Sequence, residues 1–265
     1  MSTKKTLELY EGQPFGELLE KFKDQPRLDQ IELLDSLTVD EFHNRILPAH
    51  YPVVFRSATQ LPSQSEILNL ISEESRQIQV RIGDYAKAGA TGDTREHSLM
   101  TVHEYVDKHL FESRESPPPY AGRIEFSKGF LSPYADTPSF YPTGEFEAPF
   151  VWLGSKGCIT QLHKDGSKNF AIHLFGLKRW TLFPPRDAKN LYLERVLEDS
   201  DFATSSVDMS NLDLDSFPLF NNAQSVTVDL KAGEVLYLPE GWAHHVENLK
   251  PTLMVNYWHR QARRI

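Results

Sequence analysis

The sequence predicts a mainly β fold, a sandwich or barrel, with helices in its N-terminal part. Three observations predict it. Eight short β-rich runs follow one another from residue 149 onward, near 149–154, 157–163, 169–175, 178–183, 225–230, 234–238, 243–248 and 252–258. Turn-forming residues separate them: Gly176, Pro184-Pro185, Gly233, and Pro239 to Gly241. Upstream of about residue 110, apolar residues recur instead at helical spacing. Many short strands with regular punctuation are the mark of a sandwich or barrel.

Taken in chain order, Phe15, Leu18, Leu19 and Phe22 form one helical stripe. Thr38 and Glu41 make an S/T-x-x-E start signal, which satisfies the unpaired amides of a first helical turn, and Phe42 and Ile46 fall on the inner face. "YPVVFR" (51–56) reads as a short β run. "QIQVRI" alternates Ile78, Val80 and Ile82 and reads as a strand. Thr101 and Glu104 repeat the helix-start signal before "HEYVDKHLF". The segment 114–149 holds "SPPPY" and "LSPYADTPSFYPTG", which argues against regular helix. Its many aromatics point to a packed, irregular segment over a site. The polar and acidic stretch 198–216 interrupts the strand series and reads as a solvated insertion loop.

At 265 residues the chain suits one large domain or two small ones. Its 40% hydrophobic and 25% charged residues are ordinary for a globular protein. A net charge of −9 excludes a uniformly basic nucleic-acid footprint. The single Cys158 excludes an intrachain disulfide framework, fits a reducing compartment, and reads as a small buried apolar residue. The N-terminus lacks the apolar core of a signal peptide. No run approaches the ~18 apolar residues that span a bilayer. A cytoplasmic location is expected, or a nuclear one in a eukaryote.

The chemistry starts at "ITQLHKDGSKNF" (159–170). On a strand, His163 and Asp165 would share a face, because side chains alternate with period two. With ten histidines, about one H-x-D is expected by chance, so the pair needs company. A third ligand is available in "LPEGWAHHVENL", from His244 or His245, and alternation lets only one of the two join the site. Two neutral imidazoles and a carboxylate on one face make the facial triad of non-haem Fe(II) oxygenases, which leaves three coordination positions open.

"TQLHKDGSKNFAIHLFGLKRWTLFPP", "FPLFNNAQSVTVDLKAGEVLYLPEGWAHHVENL" and "MVNYW" together resemble the JmjC (cupin-like) family of Fe(II)/2-oxoglutarate dioxygenases, most of all its small JmjC-only hydroxylases. "LTVDEFHNRILPAHYPVVFR" and "MTVHEYVDKHL" resemble that family's N-terminal helix–strand elements. The resemblance implies a double-stranded β-helix of eight strands, jelly-roll or cupin-like, wrapped by N-terminal helices. It implies one unit over 1–265: a helix-rich support at 1–113, an irregular Pro- and aromatic-rich segment at 114–148, and a β-helix core at 149–258 carrying the iron and 2-oxoglutarate site. Matched motif by motif, it implies His163, Asp165 and His244 as the metal ligands, since the family's distal ligand is the first His after the Trp-containing turn. His245 is then structural. Lys178 matches the lysine that binds the distal carboxylate of 2-oxoglutarate. Thr160 and Asn169 match hydroxyl and amide contacts to the same co-substrate, Asn256 an asparagine near its metal-binding end, and Tyr120 a tyrosine that helps hold the distal carboxylate. Trp258 reads as an aromatic wall or as core, and Arg179 should point outward with no role.

The activity implied is hydroxylation of a C–H bond of a protein or peptide side chain, or of a small molecule, with O2 consumed and 2-oxoglutarate converted to succinate and CO2. The competing readings are N-demethylation or tRNA-base hydroxylation by the same chemistry, and a non-catalytic binding module on the same fold. A cupin isomerase would use more histidines with a glutamate, against which "HKD" argues. The −9 charge disfavours a nucleic-acid partner. Only seven residues follow Trp258, so a monomer is expected, or a dimer that does not use C-terminal helices.

Overall fold

The strand core forms where the sequence alternates or runs apolar. The computed structural model describes residues 20–56, 61–73, 77–83, 96–127, 130–131, 134–135, 146–195 and 202–259. All eight runs expected from residue 149 onward are strands: β6 (Phe150–Gly154), β7 (Ile159–Lys164), β8 (Asn169–Phe175), β9 (Leu177–Phe183), β12 (Val226–Lys231), β13 (Glu234–Leu238), β14 (Ala243–Asn248) and β15 (Thr252–Trp258). They divide between two antiparallel sheets. One contains the run β13-β8-β15-β6 and the other β7-β14-β9-β12. Successive strands switch from sheet to sheet, apart from β9 and β12, which pair directly. The result is a jelly roll with its interior between the sheets.

Seven further strands extend these sheets. β1 (Glu32–Leu34) and β2 (Val53–Arg56) lie beyond β13; β5 (Tyr120–Glu125), β3 (Gln77–Arg81) and β4 (His97–Thr101) lie beyond β6, giving the order β1-β2-β13-β8-β15-β6-β5-β3-β4. β10 (Leu193–Arg195) and β11 (Ala203–Ser205) extend the other sheet beyond β7. Among the described residues, four strands, β1 to β4, thus stand beside the helices of the N-terminal part. Its helices are short. Residues Val39–Glu41, the wider π turn Phe42–Ile46 and Leu47–Ala49 run on as one helix, α1; Gln64–Ser72 is α2; Val102–Tyr105 with the π turn Val106–Leu110 is α3. Thr38 caps α1 by accepting from the Glu41 amide, and Thr101 and Glu104 form the full reciprocal box at α3. Of the expected N-terminal stripe only Phe22 lies within the described residues, and it is buried.

Two expected loops are partly strand. β5 arises within the Pro-rich segment, where a β-bulge between Ala121 and Ile124 breaks the alternation that would have announced it. Arg123 in that bulge takes a left-handed φ of 62°. Within the acidic stretch, β11 pairs with β7, and Ala203, Ser205 and Val207 are buried. A three-residue strand is too short to carry a periodic signal.

The larger apolar cluster packs α1, α2 and α3 against the outer face of the nine-stranded sheet, with Phe42, Phe170 and Tyr237 in ring contact at 5.1–5.9 Å. Each such side chain contributes about 1.5–3 kcal/mol by leaving water. The turn from β8 to β9 requires Gly176: its φ is +89°, and a Cβ there would lie 1.9 Å from the Pro251 carbonyl oxygen. Cys158 is buried, and its thiol donates to the Pro119 carbonyl oxygen at 3.5 Å. Among the described residues, no helix is long and apolar enough to cross a membrane.

Two histidines buried outside the pocket set a pH dependence. Burial holds His50 down to about 4, and burial with the nearby charge of Lys178 holds His173 down to about 3. Groups with depressed histidine values stabilise the fold above their unfolded value of 6.5, and that stability is lost as pH falls below it. Each should cost about 2 kcal/mol between pH 7 and pH 5. Urea midpoints at the two pH values check this, and His173→Leu should flatten the slope; an unchanged slope would rule its contribution out.

Candidate metal centre

Period-two alternation aims one side-chain set from each strand into the interior. On β9 it is Lys178 and Trp180, on β14 His244 and Val246, and on β15 Met254, Asn256 and Trp258. With Tyr120, Trp152, Thr160, His163, Asp165 and Asn169 they line one pocket. On β7 the two pocket residues, Thr160 and His163, are three apart, which a regular strand would put on opposite faces. The β7–β14 pairing resolves this. His163 faces His244 and Thr160 faces Val246, so three steps on one strand match two on the other. This bulge re-aims His163 into the pocket.

Asp165 lies just past the end of β7 rather than on it, so strand alternation does not place it. Hydrogen bonds do. Trp258 Nε1 donates to Asp165 Oδ2 at 2.9 Å, and Asn169 Nδ2 donates to the same oxygen at 3.3 Å. Asn256 Nδ2 in turn donates to Asn169 Oδ1 at 2.5 Å. Asp165 Oδ1 is 3.7 Å from His163 Nε2, and Oδ2 is 3.9 Å from His244 Nε2. One ligand-type atom from each of His163, Asp165 and His244 falls within a 4.8 Å group.

The protonation states suit a divalent cation. His163 Nδ1 lies 2.7 Å from the Gln161 carbonyl oxygen, and His244 Nδ1 lies 3.3 Å from that of Trp242. A carbonyl only accepts, so both Nδ1 atoms carry the proton and both Nε2 lone pairs face the cluster. Burial and the neighbouring His163 hold His244 down to about 3, so it stays neutral. Burial pushes Asp165 up, but His244, His163 and the donors Trp258 and Asn169 outweigh it and keep the carboxyl below its ordinary value. His244 packs against Trp180 with the rings tilted by 32° and 5.3 Å between centroids.

His245 pairs with Thr181 on the opposite face of β14 and is outside this pocket. Arg179 also points outward, in a two-pronged ion pair with Asp229 across β9 and β12. The other end of the pocket is cationic. Lys178 is buried, and burial lowers it to about 7. Its Nζ donates to Tyr120 Oη at 3.4 Å, the same hydroxyl that receives a bond from Thr160 Oγ1 at 3.4 Å. Among the described residues, no carboxylate pairs with Lys178.

All eight sequence-predicted residues line this pocket: His163, Asp165, His244, Lys178, Thr160, Asn169, Asn256 and Tyr120. Three partners were not foreseen. Trp258 acts on Asp165 as a donor, beyond lining the wall. Its spacing of two from Asn256 signalled the shared face, but not the bond. Trp180 at His244 follows Lys178 by two in the same way. Phe202, with its ring 5.6 Å from His163, comes from the acidic insertion, which the sequence offered only as a solvated loop open to substrate contacts.

The comparisons agree with this architecture. The cupin-like domain family matches residues 39–264 of the chain. Over 120 residues the chain is 37% identical to HSPB1-associated protein 1 of Homo sapiens, covering 44% of this chain and 25% of that protein. Over 105 residues it is 39% identical to JmjC domain-containing protein D of Dictyostelium discoideum, covering 40% and 23%. Over 110 residues it is 34% identical to Jumonji C domain-containing protein 5 of Drosophila melanogaster, covering 41% and 26%. These matches span about a quarter of each relative's length. With a jelly roll, a clustered His/Asp/His donor set and JmjC-named relatives, the chain belongs to the cupin-like family, in its JmjC group.

Proposed function

We propose that the chain is an Fe(II)- and 2-oxoglutarate-dependent oxygenase that hydroxylates a C–H bond of a protein or peptide side chain. The observation that carries the reading is one pocket holding both a metal-type donor set and a buried ammonium without a carboxylate partner among the described residues. A buried cation of this kind is costly unless an anion completes it. A dicarboxylate that chelates the metal at one end and meets Lys178 at the other satisfies both ends.

His163 and His244 would hold the metal through Nε2, and Asp165 through a carboxylate oxygen. Bound iron would supply the redox chemistry that couples decarboxylation of 2-oxoglutarate to oxidation of the substrate. The chain's own residues bind and orient. Lys178, Tyr120 and Thr160 form the polar floor for the distal carboxylate. Trp258 and Asn169 fix the Asp165 carboxylate, and Asn256 fixes Asn169. Trp180, Val246 and Met254 give that floor apolar walls that exclude water. No side chain is asked to act as a strong acid or base. A protein substrate is favoured over nucleic acid by the net charge of −9 and by a relative whose name records association with another protein.

The test is anaerobic addition of Fe(II) and 2-oxoglutarate, followed by admission of O2. A weak visible charge-transfer band and then succinate are expected. Metal binding with neither band nor succinate would leave a non-catalytic binding module in place of an oxygenase.

A further inference from the structure

We propose that His50 is a positioning residue for the metal centre, holding the turn that delivers His244 to the pocket. The inference rests on His244 being a metal ligand. His50 is not in the pocket; it closes α1 as a residue in the left-handed conformation, with φ 55° and ψ 35°. That conformation costs a residue with a Cβ roughly 1–2 kcal/mol. It persists where the surroundings over-determine it.

Three contacts do so. The His50 ring stacks on Phe22, with centroids 4.0 Å apart and 9° between planes. His50 Nε2 lies 2.8 Å from the Glu240 carbonyl oxygen, and since a carbonyl only accepts, Nε2 carries the proton. The His50 carbonyl oxygen accepts from the Trp242 indole Nε1 at 2.9 Å. One residue thus grips the Pro239–Trp242 turn at two points, once by its ring and once by its backbone.

The turn passes that grip on to the site. Trp242 is buried, and its carbonyl oxygen is the acceptor for His244 Nδ1 at 3.3 Å. That bond sets which His244 nitrogen faces the cluster and how its ring is rotated. The same turn is tied to the other half of the site. Lys168 Nζ meets Glu240 Oε2 at 3.1 Å, and Lys168 adjoins Asn169, which donates to Asp165. A shift of residues 239–242 would therefore move His244 relative to Asp165. Groups that orient metal-binding histidines typically change metal affinity 10–100-fold. His50 acts one step further out, so its loss should weaken binding about tenfold, at the low end of that range.

Co(II) titration of the metal-free protein, read by calorimetry and by the visible d–d absorption of Co(II), gives the affinity without turnover. His50→Asn is the main variant. Asn tolerates the left-handed position at a helix end, but is too short to reach the Glu240 carbonyl. Trp242→Phe removes the second grip and keeps an aromatic ring. Ile71→Val, buried in α2, is the destabilised control. Both grip variants should bind Co(II) about tenfold more weakly with altered d–d intensity, while the control loses urea resistance and keeps wild-type affinity. Should His50→Asn fail to fold, Trp242→Phe decides alone. Wild-type affinity in the folded grip variants would overturn the proposal, as would an equal loss in the control. Absence of Co(II) binding in the wild-type protein would instead sink the metal reading, and this inference with it.

Discussion

Asp165→Ala and His244→Ala are each expected to abolish Fe(II) binding at micromolar protein, and with it the charge-transfer band, while His245→Ala keeps both. Disturbing the groups around a ligand already costs 10–100-fold in affinity, so removing a ligand outright should cost more than about a hundredfold. Urea midpoints of the same variants separate this loss from unfolding. Against the effect of burial, His244, His163, Trp258 and Asn169 hold Asp165 below its ordinary value, so Asp165→Ala should lower the midpoint, while His244 is a buried imidazole held neutral. Variants that remain folded and lack the band place the loss at the ligand. His245 sits on the other face of β14, against Thr181, and its removal leaves all three candidate ligand atoms in place. The measurement is anaerobic titration of metal-free protein with Fe(II) in the presence of 2-oxoglutarate. Metal retained by His244→Ala but lost from His245→Ala would overturn the assignment.

How much of this was legible in the sequence follows from what generates a signal. The eight core strands were legible because each runs five to seven residues with a buried face, and glycine or proline stands at most of their ends. β10 and β11 were not, because three residues hold no period. β5 was hidden by its own bulge, which holds Arg123 in a left-handed conformation.

The site divides in the same way. Lys178 and Trp180, or Asn256 and Trp258, share a face because they are two apart on regular strands. The H-x-D pair looked like a case of that rule and is not one. Asp165 leaves the strand, and the bulge on β7 gives Thr160 and His163 a common face that strict alternation forbids. The bonds that hold the cluster come from far along the chain, Trp258 to Asp165 and His50 to the His244 turn. Spacing within a motif carries no information about them; only the closed fold brings them together.

The second large effect is expected at Lys178. Lys178→Met should raise the 2-oxoglutarate concentration required by about ten- to a hundredfold and leave Fe(II) binding intact. A hydrogen bond to a charged group is worth about 1.5–3 kcal/mol, which sets that range. Methionine keeps the unbranched volume, so the pocket does not collapse. The pH dependence gives an independent reading of the same side chain. Burial lowers Lys178 to about 7. A carboxylate beside it favours the charged form and raises that value in the complex. Binding above pH 7 must therefore take up a proton, and affinity for 2-oxoglutarate should fall as pH rises from 7 towards 9, approaching tenfold per unit. Tyr120 cannot produce this slope, because burial raises its hydroxyl further and keeps it a neutral donor throughout. Calorimetric titration of 2-oxoglutarate into the anaerobic Fe(II) protein at pH 7, 8 and 9 measures both effects. In Lys178→Met the slope should vanish while the weakened binding remains measurable. A slope that survives in the variant would assign the proton to another group, and equal loss of iron would make Lys178 a structural residue rather than the carboxylate partner.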